Sequence, residues 1–149
     1  MMATIKGGNK FSKALQEMAG KIGKASSVRI GFLSGSTYPD GTPVAMVAAI
    51  QDWGAPGANI PPRPFFRNMI AAKKGEWPKA ISDLLKANDY DALLTLQQTG
   101  QTVAGQLRES IQQTNSPPLK PATIRRKGFA TPLIDTGQMF NSVDSEVKE

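Results

Sequence analysis

Phe11, Leu15, Met18 and Ile22 recur at intervals of three or four positions, with lysines on the other side. That spacing collects apolar side chains on one face and predicts an amphipathic helix over residues 10–22, closed by Gly23. The pattern then changes period. Val28, Ile30 and Phe32 alternate with Arg29 and Gly31, as in a strand with one buried face. S-G-S-T-Y-P-D-G reads as a turn region. Thr42-Pro43 opens the next helix, Thr42 as N-cap and Pro43 at the first helical position. The run V-A-M-V-A-A-I is apolar nearly all round, which predicts a helix buried on most sides, and Gly54 stands where a glycine would end it.

A further helix starts at Pro64 and carries Phe65, Phe66, Met69 and Ile70. Gly75 interrupts it. The pattern resumes over 76–87 with Trp77, Ile81, Leu84 and Leu85. Asp89 is the expected cap of a long helix, 90–113, whose apolar positions are Leu93, Leu96, Val103, Leu107 and Ile111. Its glutamine-rich face is polar, uncharged and expected at solvent or an interface. S-P-P-L-K-P breaks that helix. Thr123–Lys127 suits one short helical turn, and Gln138–Asn141 another. The chain then alternates as S-V-D-S-E-V-K, a strand expected to pair with 28–33. A sheet of two strands alone is marginal, so a further extended segment is expected to join it, with residues 34–40 as the candidate. The fold class expected is α+β: a small, mostly antiparallel sheet with several helices. Residues 1–149 read as one domain, with 1–9 a flexible arm.

The net charge is +6, unevenly distributed. Residues 1–30 hold six Lys/Arg against Glu17 alone, and Arg125-Arg126-Lys127 form a second basic knot. The tail is acidic, with Asp135, Asp144, Glu146 and Glu149. A basic face suits nucleic acid or an acidic protein partner. The knot could grip phosphate, or be the solvated side of a short helix.

No histidine and no cysteine occur. This excludes imidazole-assisted nucleophiles, thiolate chemistry and disulfides. Asp89 and Asp91 read as helix-start residues and not as a metal pair. No P-loop spacing is present. No apolar run approaches the roughly 20 residues that span a bilayer, and MMATIKGGNKF lacks the apolar centre of a signal peptide. An enzyme is not expected, nor a cofactor, a metal or a membrane partner.

Residues 60–70, I-P-P-R-P-F-F-R-N-M-I, are the most distinctive stretch. Pro61, Pro62 and Pro64 stiffen the backbone and confine Pro61 and Arg63 to extended shapes, so part of the ordering entropy is already lost in the free chain. The result is a strap, expected to present Arg63 and Arg67 at fixed positions and to drive Phe65 and Phe66 into the core or a neighbour. Both arginines suit a bidentate carboxylate partner, buried or across an interface. A helix beginning by Arg63 would put them on one side. The plainer reading is a stiff connector between two core helices. Trp53, beside a helix end, is a core or interface anchor. In L-I-D-T-G-Q-M, Asp135 or Thr136 caps the next helical turn and Gly137 allows close backbone approach.

The order D-W-G, I-P-P-R-P-F-F-R, a long helix, P-L-K-P-A-T-I-R-R-K and P-L-I-D-T-G-Q-M-F-N-S-V resembles the tail-completion or neck proteins of tailed bacteriophages. That family includes the HK97 tail-completion group and the related minor tail protein Z and Mu-type virion morphogenesis groups. The likeness covers roughly residues 44–147 and rests on Trp53-Gly54, Pro61 to Arg67, Pro118-Leu119, Thr123, Lys127, Leu133, Asp135-Thr136-Gly137, Met139, Ser142 and Val143. Met139 stands where leucine is commoner and Val143 where isoleucine is common. The basic first 25 residues are less typical.

The resemblance implies a non-catalytic structural protein of the virion neck, made in the host cytoplasm. It would act as a homo-oligomeric ring, hexameric in the first instance and dodecameric on the portal side. Its neighbours would be the head-tail connector or portal-side adaptor and the tail terminator or tail tube protein, with non-specific contact to channel DNA. A tail terminator capping the tube and a basic DNA-binding accessory protein are the competing expectations.

Overall fold

The computed structural model describes residues 8–23, 25–128, 130–134 and 137–149. In chain order its elements are α1 (Gly8–Ile22), β1 (Ser27–Phe32), α2 (Val44–Trp53), a 3-10 turn (Pro56–Ala58), α3 (Phe65–Lys73), α4 (Trp77–Ala87), α5 (Ala92–Gln113), α6 (Pro121–Lys127), α7 (Gln138–Asn141) and β2 (Val143–Lys148). The class is α+β, with helices around a two-stranded antiparallel sheet and one long helix, α5.

The apolar stripe of α5 organises the rest. Val103, Ala104, Leu107 and Ile111 are buried along it. They meet Phe65 and Met69 of α3, Val44 and Ala48 of α2, Leu133, Met139 and Val143 in one continuous core. The strands pair Ser27 with Lys148 through to Phe32 with Val143. This register puts Val28, Ile30 and Phe32 on the same face as Val147, Ser145 and Val143, towards α5. Arg29, Asp144 and Glu146 take the solvent face. Gly100 is where helix and sheet come closest. A Cβ there would lie 2.7 Å from Ser145 Oγ and 2.8 Å from Val28 Cγ2. Phe32, Phe65 and Phe66 close the far end of the sheet as three tilted or edge-on rings, with centroids 6.3 to 6.4 Å apart.

Several local expectations change. Residues 34–40 do not form a third strand; they make turns and one isolated bridge, Thr37 to Pro43. Their backbone groups bond locally: Gly41 N–H donates to Tyr38 O and Tyr38 N–H to Thr42 O, both at 2.9 Å. Thr42 is not the cap of α2. Pro43 holds that position without a side-chain bond, and Val44 N–H is satisfied by Ser36 O at 3.0 Å. The cap of α5 is Asp91, which accepts from Leu94 N–H at 3.0 Å. Asp89 has a left-handed backbone (φ 51) and pairs with Lys21 of α1. α1 itself begins at Gly8, inside the expected arm. No helix among the described residues is long and apolar enough to cross a membrane.

Candidate functional site: the strap clamp and its groove

Gly54 ends α2 with φ 77, a conformation that favours glycine. It also has no room for a side chain. A Cβ would lie 2.8 Å from Pro62 N and 3.0 Å from Ile60 O. The strap is therefore pressed directly onto the end of α2. A bridge between Ala55 and Ile60 folds the intervening turn, and Arg63 N–H donates to Gln51 O at 2.7 Å. Pro61 and Pro62, exposed, run along this seam.

The strap leads into α3, whose N-cap position is Pro64, with no side chain able to cap. Asp52 supplies the missing acceptor from α2. Its Oδ1 takes the N–H of Phe66 at 2.9 Å and that of Arg67 at 3.4 Å. Its Oδ2 takes Arg67 Nε at 2.6 Å, and its carbonyl takes Arg67 Nη2 at 2.6 Å. Asp52 is only 4% exposed, so these bonds replace the water it has lost. The Arg67 guanidinium also lies over the Trp53 ring, 3.8 Å from its centre. Asp52, Trp53 and Arg67 thus form a clamp that fixes the angle between α2 and α3. Phe65 is buried in the core beneath it, with its carbonyl accepting from Ser110 Oγ at 2.7 Å, and Phe66 is half-buried. Trp53 is no core anchor; it stays 67% exposed beneath the guanidinium.

Arg63 behaves differently. It precedes α3, so it does not share a helix face with Arg67. It is 6% exposed, and its Nε donates to Pro117 O at 2.9 Å, tying the strap to the segment after α5. Its Nη1 and Nη2 have no hydrogen-bond partner among the described residues, and no carboxylate there pairs with it. Burial lowers its pKa, yet a guanidinium keeps its charge at neutral pH.

Arg63 lines a groove of about 900 Å³. One wall is the strap, with Ile60 and Pro61. The other is Pro118, Leu119, Lys120 and Thr123, continuing to Arg126 and Lys127 of α6. Leu133, Gly137 and Met139 close one end. Among the described residues the charged lining is Arg63, Lys120, Arg126, Lys127 and Asp40. Lys127 Nζ donates to Thr131 O at 2.9 Å. Gln51 also lines the groove, and its Oε1 is buried with no partner among the described residues. Arg125 is exposed and lies outside the lining. Gly137 enters α7 with φ 78. The expected caps Asp135 and Thr136 lie outside the described residues.

The segments that carry the family resemblance converge here. Ile60, Pro61, Arg63, Pro118, Leu119, Thr123, Lys127, Leu133, Gly137 and Met139 share this one groove, although 79 positions separate the first from the last. Arg67 does not join them, because Asp52 and Trp53 hold it on the strap's other side. Among the described residues no group of three acids could hold a metal ion. The role of Asp52 escapes a pattern reading, because its partners lie fourteen and fifteen residues away. The only signal for it is its place before Trp53-Gly54.

No family model, curated protein or solved structure matches the chain.

Proposed function

We propose that this chain is a structural subunit of the neck of a tailed bacteriophage. In this reading it forms a ring, six-fold to match the tail, that finishes the tail and joins it to the connector of a DNA-filled head. The observation that carries the reading is the convergence of its scattered motif residues on one groove. Residues spread so far along a chain, and shared as a pattern, fit a common contact surface better than they fit independent turns. The groove's chemistry suits a protein partner. Its walls mix apolar and polar side chains and are stiffened by prolines, and Arg63, Lys120 and Arg126 are among the described residues that line it. A buried guanidinium whose Nη groups have no partner among the described residues favours a carboxylate held bidentately. The groove therefore takes an acidic, extended segment of a neighbouring neck protein.

The test is a phage that carries this gene with a stop codon early in it. The expected products are DNA-filled heads and separate tails, and adding the purified protein restores joined particles. Infectious particles assembled without the protein would refute the reading. An electron-microscopy map of the complemented virion separates the neck from the terminator alternative: density at the connector junction supports the first, density at the top of the tube the second.

A further inference from the structure

α1 is a helix that its own chain leaves uncovered. None of its residues is buried, and Phe11, Leu15 and Ile22 are 68%, 48% and 39% exposed along one stripe. A 15-residue helix is marginal in water unless its apolar face packs on something. Among the described residues, the hydrogen bonds from α1 to the rest of the chain come from Lys21, which reaches Asp89 at the corner between α4 and α5.

The same chain carries an apolar trough. Its volume is about 290 Å³, and it opens between α3, α4 and the sheet. Ile70, Trp77 and Ile81 form one side, Val28 and Ile30 the other, and Thr99 is its one polar lining residue. No residue of α1 lines it. The Lys21–Asp89 pair ties the root of α1 to the corner between α4 and α5.

We propose that α1 is an exchanged arm: its Phe11 and Leu15 fill the Ile70–Trp77–Ile81 trough of a second copy of this chain. The two surfaces are complementary in kind and sit on different parts of one subunit. Such a contact closes a two-fold dimer when the exchange is reciprocal, and a ring when it runs head-to-tail and the rotation permits. The inference stands on α1 and the trough alone, and holds whether or not the particle that uses the ring is a phage.

Two double variants test it. Phe11→Glu/Leu15→Glu disables the arm and, touching no buried residue, leaves the fold and melting temperature unchanged. Ile70→Glu/Ile81→Glu disables the trough, and its circular dichroism is checked first. Each alone should associate more than about tenfold more weakly than wild type in sedimentation. Mixed, they should form a one-to-one dimer and nothing larger, because one intact arm meets one intact trough. If the trough variant fails to fold, the arm variant and a cysteine pair carry the test. The chain has no cysteine of its own, so Leu15→Cys with Ile70→Cys should give disulfides between copies. Disulfides formed only within a monomer, or an arm variant that associates as wild type does, would overturn the proposal. A wild type that stays monomeric and forms no such cross-link would do the same. The phage gene-disruption result is independent of these outcomes, so a failed arm leaves the neck reading standing.

Discussion

Asp52 concentrates more of the local architecture than any other single side chain. It caps a helix to which it does not belong, holds Arg67, and precedes a tryptophan on which that arginine lies. Asp52→Ala strands the Phe66 N–H and a guanidinium together, so it should cost about 2–4 kcal/mol. Asp52→Asn keeps the cap oxygen and should cost less. Arg67→Ala removes a side chain that is 43% exposed and leaves the cap intact; solvent screening holds its cost near 1 kcal/mol. Guanidinium unfolding of the three variants gives the order directly. Arg67→Ala costing more than Asp52→Ala would mean that the ion pair, and not the cap, sets the α2–α3 angle. Gly54→Ala should cost about 1–3 kcal/mol, because positive φ and the 2.8 Å approach to Pro62 N act together. The motif letters D-W-G and the strap are plain in the sequence. What they do to each other is not, because a cap donated across a turn leaves no periodic trace.

Helices were legible wherever apolar spacing extended over three turns. α1, α4 and α5 stand within two residues of their expected ends, since periodicity depends on which side is buried and not on the neighbour's identity. Asp89 and Asp91 are equivalent as letters, so spacing alone does not separate the cap of α5 from its neighbour. Tertiary pairing of Asp89 with Lys21, and its left-handed backbone, leave Asp91 to cap. The two-stranded sheet has a related reason: such a sheet looks unstable by itself, but α5 packs against one face of this one. Gly100 makes that cover possible, and helix propensity alone would misjudge it. Alanine is about 1 kcal/mol better than glycine within a helix. At Gly100 the new methyl would meet Ser145 and Val28 at 2.7 to 2.8 Å, and overpacking of that kind costs about 1–3 kcal/mol. Gly100→Ala should therefore destabilise on balance, with the denaturation midpoint falling. Adding Ser145→Gly removes the closest contact and should recover part of the loss. A more stable Gly100→Ala would mean that α5 can ride further off the sheet.

At the scale of the whole molecule, two basic regions have different neighbours. The basic first helix meets the body at the corner before α5 through Lys21 and Asp89, while Lys120 and Arg126 line a groove. Both rim residues are exposed, so reversing them should leave stability within about 0.5 kcal/mol of wild type. The effect belongs to assembly. Lys120→Glu with Arg126→Glu should give a folded subunit that no longer restores head-tail joining to particles lacking the protein, because an acidic segment would meet like charge on entering. Duplex binding measured over a salt series tests the competing phosphate partner. Each cation that neutralised a phosphate would contribute about 0.9 to the slope of log affinity against log salt. Lost joining with an unchanged slope assigns the rim to a protein neighbour. A slope shallower by about two units, with joining intact, would move the rim to nucleic acid and leave Arg63 as a tie between the strap and Pro117 alone.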